Sequence, residues 1–208
     1  MMGNIFDLDS PLMDVMNKIM NTVILNICFL LSCLPLVTIG AAVTALYSVN
    51  LKMVKQEESY VFSAYWKSFK VNFRQSTSCW LVLAAAGAVF YIDFSVIKSL
   101  SGSLRMLLTI TTVVLFCVFV IVILYVFPYM ARFQDDFLTC LKNAFMIGGV
   151  NLGYTAAMLL ITAACVMVTF FHVEFMLRAI FIWLVGGFSL LAYINSIFFR
   201  KVFDKYAA

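Results

Sequence analysis

Between Ile19 and Leu51 the chain carries no charged residue, and apolar side chains dominate the run. As one helix it would be about 50 Å long at about 1.5 Å per residue, against a hydrocarbon core of about 30 Å. It therefore has to break. Pro35 lacks a backbone donor, Gly40 lacks a side chain, and the β-branched Val37, Thr38 and Ile39 lie between them. The pattern predicts a first span over 19–36, a short irregular turn, and a second helix over 41–55 lying at the interface. A sharper alternative makes Pro35, Thr38 and Gly40 a re-entrant break, because non-helical backbone at membrane depth persists only inside protein or along a wet cavity.

Gln56, Glu57, Glu58 and Ser59 end that pattern, and a different one follows. Over 59–74 a helix puts Phe62, Trp66, Phe69 and Phe73 in one stripe, with Lys67, Lys70 and Arg74 on a neighbouring face. Rings and cations in that arrangement suit the headgroup layer of an anionic leaflet, or a docked partner. The helix can run on into a second span over 76–97, whose Ala84, Ala85, Ala86, Gly87 and Ala88 form a small-residue face. Asp93, near the far end, reads as an interfacial carboxylate close to Lys98.

The third span covers 104–127 and closes at Pro128. A second polar connection then carries Arg132, Asp135, Asp136 and Lys142, with Phe133, Phe137 and Leu141 at helical spacing. Arg132 and Asp136 stand four apart and are expected to pair. The fourth span covers 145–170, and its Gly149 and Gly153 predict a helix-packing face. Glu174 and Arg178 form a second expected pair in the following turn, and the fifth span covers 179–199.

Composition fixes the class. Of 208 residues 64% are hydrophobic and 12% charged, with a mean hydropathy of +1.04, against roughly 45–50% apolar and about 25% charged in soluble domains. The fold class is an all-α membrane protein: one integral domain over 1–208, a five-helix transmembrane bundle with amphipathic cytoplasmic helices. The net charge of +4 comes from residues bordering apolar runs, so its counter-charge is membrane lipid and not nucleic acid. Asp7, Asp9 and Asp14 precede the first apolar run where an export signal would be basic, so the first helix is expected to be retained.

Orientation follows from Lys and Arg. With the N-terminus outside, Lys18, Lys98, Arg105 and Arg178 are external, and ten fall inside: Lys52, Lys55, Lys67, Lys70, Arg74, Arg132, Lys142, Arg200, Lys201 and Lys205. That bias places a multi-pass protein in the bacterial plasma membrane with its C-terminus in the cytoplasm.

Candidate chemistry is sparse. The six cysteines form no C-x-x-C pair, and the one histidine, His172, reads as an interfacial side chain beside Glu174. No nucleophile and base, metal cluster or phosphate-cradling loop is assembled, so neither an enzyme nor a cofactor is expected. The deep polar groups are Asn26, Asn151 and Asn195, which serve as interhelical glue or line a path for a neutral solute.

Several runs carry a resemblance: Cys33-Leu34-Pro35-Leu36-Val37-Thr38-Ile39-Gly40 with Thr44-Ala45-Leu46-Tyr47, then Tyr65-Trp66-Lys67-Ser68-Phe69-Lys70-Val71-Asn72-Phe73, Tyr125-Val126-Phe127-Pro128, and Leu141-Lys142-Asn143-Ala144-Phe145. In this order they resemble the YesL-like membrane proteins of Firmicutes, a domain family of unknown function. Ala41 departs from the proline expected after the Thr-Ile-Gly turn. The resemblance implies a non-enzymatic accessory or regulatory role beside carbohydrate uptake of the ATP-binding-cassette type. Its implied partners are transporter subunits or a sensor kinase, docked on Phe62, Trp66, Lys67, Phe69, Lys70, Phe73 and Arg74. The competing expectation is a small carrier or channel for a neutral solute such as a sugar.

Overall fold

The computed structural model describes residues 11–57, 60–133, 135–170 and 173–206. Among them all regular structure is helical. The acidic lead Asp7 and Asp9, the helix start at Ser59, and His172 lie outside the described residues, as do the side chains of Asp14 and Glu174.

α1 spans Pro11–Cys33, starting on a proline whose missing N–H costs nothing in a first turn. A bend and a 3₁₀ turn, Leu36–Thr38, lead into α2, Ile39–Val54. Thr38 fastens the bend, its hydroxyl donating to the Ser32 carbonyl at 2.6 Å and the Pro35 carbonyl at 2.7 Å. The expected break at Pro35 to Gly40 is therefore real, and it is closed by local hydrogen bonds and by packing. A Cβ on Gly40 would lie 2.3 Å from the Ser76 carbonyl oxygen, and the Trp80 indole donates to the Leu36 carbonyl at 2.9 Å.

α2, expected at or near the interface, packs within the protein. Ala41, Ala42, Ala45, Leu46 and Val49 are buried, and the helix packs against α1 and the longer helices that follow. Small residues permit this, because they let neighbouring backbones approach.

α3 is one unbroken helix, Val61–Ser99, so the amphipathic segment and the second span are a single rod. α4 spans Gly102–Arg132. It continues through Pro128, where a stop was expected. The lost hydrogen bond there is offset by packing, since every residue from Tyr125 to Met130 is buried. α3 and α4 are antiparallel: Phe90 meets Phe116 and Phe119, and Ser76 meets Met130.

The expected fourth span is two helices, α5 over Phe137–Val150 and α6 over Leu152–Phe170, broken at Asn151. Asn151 turns the chain at φ −106°, ψ 45° and caps α5 by donating from its side chain to the Ile147 carbonyl at 2.9 Å. The last rod is α7, Val173–Ile182, a π turn over Trp183–Gly187, and α8, Phe188–Phe203. α6 and α8 are antiparallel, with Tyr154 against Phe198 and Thr162 against Asn195.

Six helical stretches are long and apolar enough to cross a membrane, where five were expected. The additional one is Leu36–Val54, and more than half of it is buried inside the protein.

Candidate docking surface

The first half of α3 carries the predicted stripe. Successive ring centroids from Phe62 to Trp66, Phe69 and Phe73 are 6.4, 5.5 and 5.5 Å apart, distances at which aromatic pairs attract. Phe62 and Phe73 are exposed, Trp66 and Phe69 half-buried, and Lys67, Lys70 and Arg74 all exposed. The sequence reading missed Tyr65, which is fully buried and stacks against Phe69 with centroids 6.2 Å apart. Its spacing, three from Phe62 and four from Phe69, was the available signal.

This half of α3 meets the second polar connection. A groove of about 570 Å³ opens between them, with Val71, Arg74 and Gln75 on one wall and Asp135, Asp136 and Phe137 on the other. The Gln75 amide donates to the Asp135 carbonyl at 2.7 Å, fixing the wall. The Asp135 carboxylate accepts from the Tyr129 hydroxyl, which in turn accepts from the Asn143 amide at 2.7 Å. A second cleft of about 400 Å³ lies on the other side of Asp135, bounded by Phe133, Val150 and Tyr206. The groove thus offers a cation, two carboxylates and apolar rings together, a surface suited to an amphipathic peptide carrying both charges.

Cys140 lies beneath, buried, within 3.4 Å of the Asp135 carbonyl. Burial pushes its thiol up to about 11, and the neighbouring Asp135 charge adds to this. A thiol so placed is a packing group and not a nucleophile. Among the described residues no group of three or more His, Cys, Asp or Glu could hold a metal ion.

The expected Arg132–Asp136 pair is replaced. Arg132 donates to Asp204 at 2.7 Å, Arg200 approaches the same carboxylate at 3.6 Å, and Arg200 also donates to the Val54 carbonyl at 3.0 Å. One carboxylate thereby gathers the C-terminal ends of α2, α4 and α8. Arg200, four residues upstream, was visible as a partner of Asp204 in the sequence, whereas Arg132 comes from α4 and was not. Asp93 is half-buried and makes no ion pair with Lys98 among the described residues.

The candidate pathway residues are not brought together. Asn26 donates to the carbonyls of Trp183 and Leu184 at 3.0 and 2.9 Å and accepts from the Ser189 backbone at 3.1 Å. It is a clamp on the π turn, standing in for the ladder bonds that the extra residue displaces. Asn151 caps α5 and also donates to the Tyr206 hydroxyl at 3.0 Å. Asn195 is buried, and its amide donates a long bond, 3.5 Å, to the Thr162 hydroxyl. Gly149 and Gly153 do not form the expected packing face among the described residues: the two fall on different helices, and no described atom of a neighbouring element lies within 4 Å of a Cβ built on either. The close contact is at the adjacent Gly148, whose Cβ would lie 2.4 Å from Ile121.

Residues 22–94 match the family described as "Protein of unknown function, DUF624". The matched segment runs from α1 through the 33–40 break into the second half of α3, so it contains the aromatic and cationic face. The chain is also similar to "Uncharacterized protein YteU" of Bacillus subtilis (strain 168), 29% identical over 124 residues. That similarity covers 59% of this chain and 55% of the relative. No solved structure matches the chain.

Proposed function

We propose that this protein is a non-enzymatic membrane accessory that docks a partner at its cytoplasmic end. The observation that carries the reading is the exposed Lys67, Lys70 and Arg74 face of α3 beside the groove closed by Asp135 and Asp136. The resemblance to YesL-like proteins supplies the partner class: subunits of an ATP-binding-cassette sugar transporter, or a sensor kinase. Anionic lipid is the simpler occupant of the same cations.

The membrane arrangement belongs to this proposal. α3 has 39 residues, about 58 Å at about 1.5 Å each, nearly twice the hydrocarbon thickness. Three exposed cations in its first half cannot sit in lipid, so that half projects from the membrane and the second half crosses it. α2 packs along the projecting half as far as its boundary at Ser76, which Gly40 and Thr44 meet. The proposed orientation has the N-terminus outside and the C-terminus in the cytoplasm. A green fluorescent tag after Ala208 should fluoresce in cells. A dark full-length fusion, with a bright one at the other end, overturns the orientation.

Pull-down in mild detergent tests the docking. The unaltered chain should recover a transporter or kinase subunit, and a triple Lys67→Glu, Lys70→Glu, Arg74→Glu variant should lose it. An unchanged recovery removes the docking surface. A second reading, a carrier for a neutral solute, draws on the buried oxygens of Asn50, Ser189 and Ser196, which have no hydrogen-bond partner among the described residues and lie on the mutually packed α2 and α8. Uptake of a sugar by liposomes holding only this protein would favour it.

A further inference from the structure

A groove of about 600 Å³ runs between α1 and the α7–α8 rod. Val15, Ile19 and Val23 form one wall, Ile182, Val185 and Leu190 the other. Along α1 it extends from Val15 to Val23, about 12 Å at about 1.5 Å per residue. Its floor is Gly186, where a Cβ would be 3.8 Å from the Thr22 methyl group, and Met53 and Tyr193 close its inner end.

Two independent features single this groove out from lipid-facing surface in general. The floor is held open by the Asn26 clamp on the π turn, whose three hydrogen bonds fix Trp183, Leu184 and Ser189. The groove is therefore preformed and loses little entropy on filling. Charge supplies the second. Lys18 is the one charged residue among the described residues of the lining. It is exposed and enters in the first turn of the apolar stretch Val15–Cys33. That is the depth at which a lysine reaches headgroup phosphates while its stem lies along hydrocarbon.

We propose that this is a binding site for one anionic phospholipid, with an acyl chain in the groove and its phosphate on Lys18. A water-soluble ligand does not suit a lining this apolar, and Lys18 at its edge offers a phosphate a counter-charge that an uncharged apolar helix would not use. The inference is separate from the docking reading and shares no residue with it.

Native mass spectrometry of the purified full chain, with phosphatidylglycerol and phosphatidylcholine of matched chains in competition, tests it. The unaltered protein should hold one phosphatidylglycerol with a preference of roughly fivefold, the worth of one cation near a headgroup, about 1 kcal/mol. Lys18→Glu should abolish the preference while the phosphatidylcholine adduct remains. Gly186→Leu should fill the floor and lose both adducts, with Val185→Trp as the second blocking variant should the first not fold. Equal retention of the two lipids by the unaltered protein overturns the proposal, as does a preference that survives Lys18→Glu or adducts that survive a folded blocking variant.

Discussion

The two halves of α3 share one unbroken helix and almost nothing else. From Val61 to Gln75 it presents aromatic rings, two lysines and an arginine, and packs on α2. From Ser76 to Ile97 its exposed side chains include Leu81, Val82, Val89, Ile92 and Val96, and Phe90 packs on Phe116 and Phe119 of α4. Backbone continuity therefore says nothing about where lipid begins. The boundary is written in side-chain charge, because helical hydrogen bonding satisfies the backbone equally well in water and in hydrocarbon.

The largest expected effect comes from breaking the contact that fixes where one half ends. Gly40→Leu would drive a side chain into the Ser76 carbonyl, 2.3 Å from the Cβ, and into Trp80 at 2.6 Å. Backbone there cannot yield, so a loss of about 3 kcal/mol or more is expected, read as collapse of the unfolding midpoint in detergent. Gly149→Leu, with open space around the Cβ, should stay within about 0.5 kcal/mol. Equal loss in both would mean that α2 is not seated on α3.

A matched pair of lysines probes the halves directly. Val71 and Val89 are similarly exposed, at 65% and 57%, so packing does not distinguish them. Val89→Lys places a cation in the crossing half, costing about 2.5–3.5 kcal/mol at a span centre. Val71→Lys joins a surface already basic and should cost about 0.5 kcal/mol or less. Yield in carbonate-washed membranes reads the difference. Equal yields would move the membrane boundary along α3.

Much of this was legible beforehand. The aromatic and cationic stripe, the break at Pro35 to Gly40 and the all-helical membrane class rest on local spacing and composition. What stayed hidden depended on partners distant in sequence. Asn26 looked like glue for a neighbouring helix and is a backbone clamp, because the π turn that it holds cannot be seen in Trp183–Gly187 alone. Gly148 and Gly149 are indistinguishable by pattern, and only the position of Ile121 decides which one packs. Pro128 and Asn151 exchanged expected roles for a similar reason: burial around the proline carried the helix on, while a capping amide ended one where no proline stands.

The smallest effect tests what bathes the charged end. Arg132 is largely buried at 17% exposure and Asp204 is open at 45%, 2.7 Å apart. If that end faces cytoplasm, water and counter-ions screen the pair, and a double-mutant cycle with Arg132→Met and Asp204→Asn should give a coupling of about 0.5–1 kcal/mol. The coupling should shrink as salt is raised, since exposed charges are screened beyond about 10 Å at about 0.1 M. Arg200 still faces the carboxylate in the Arg132→Met background, so part of the attraction persists and the measured value falls toward the lower bound. Were this end immersed in lipid, removing one partner would instead strand a charge, with losses of about 3–5 kcal/mol that salt leaves unchanged. That outcome would place the first half of α3, anchored at the same level through Gln75 and Asp135, inside the membrane as well, and erase the distinction between its halves.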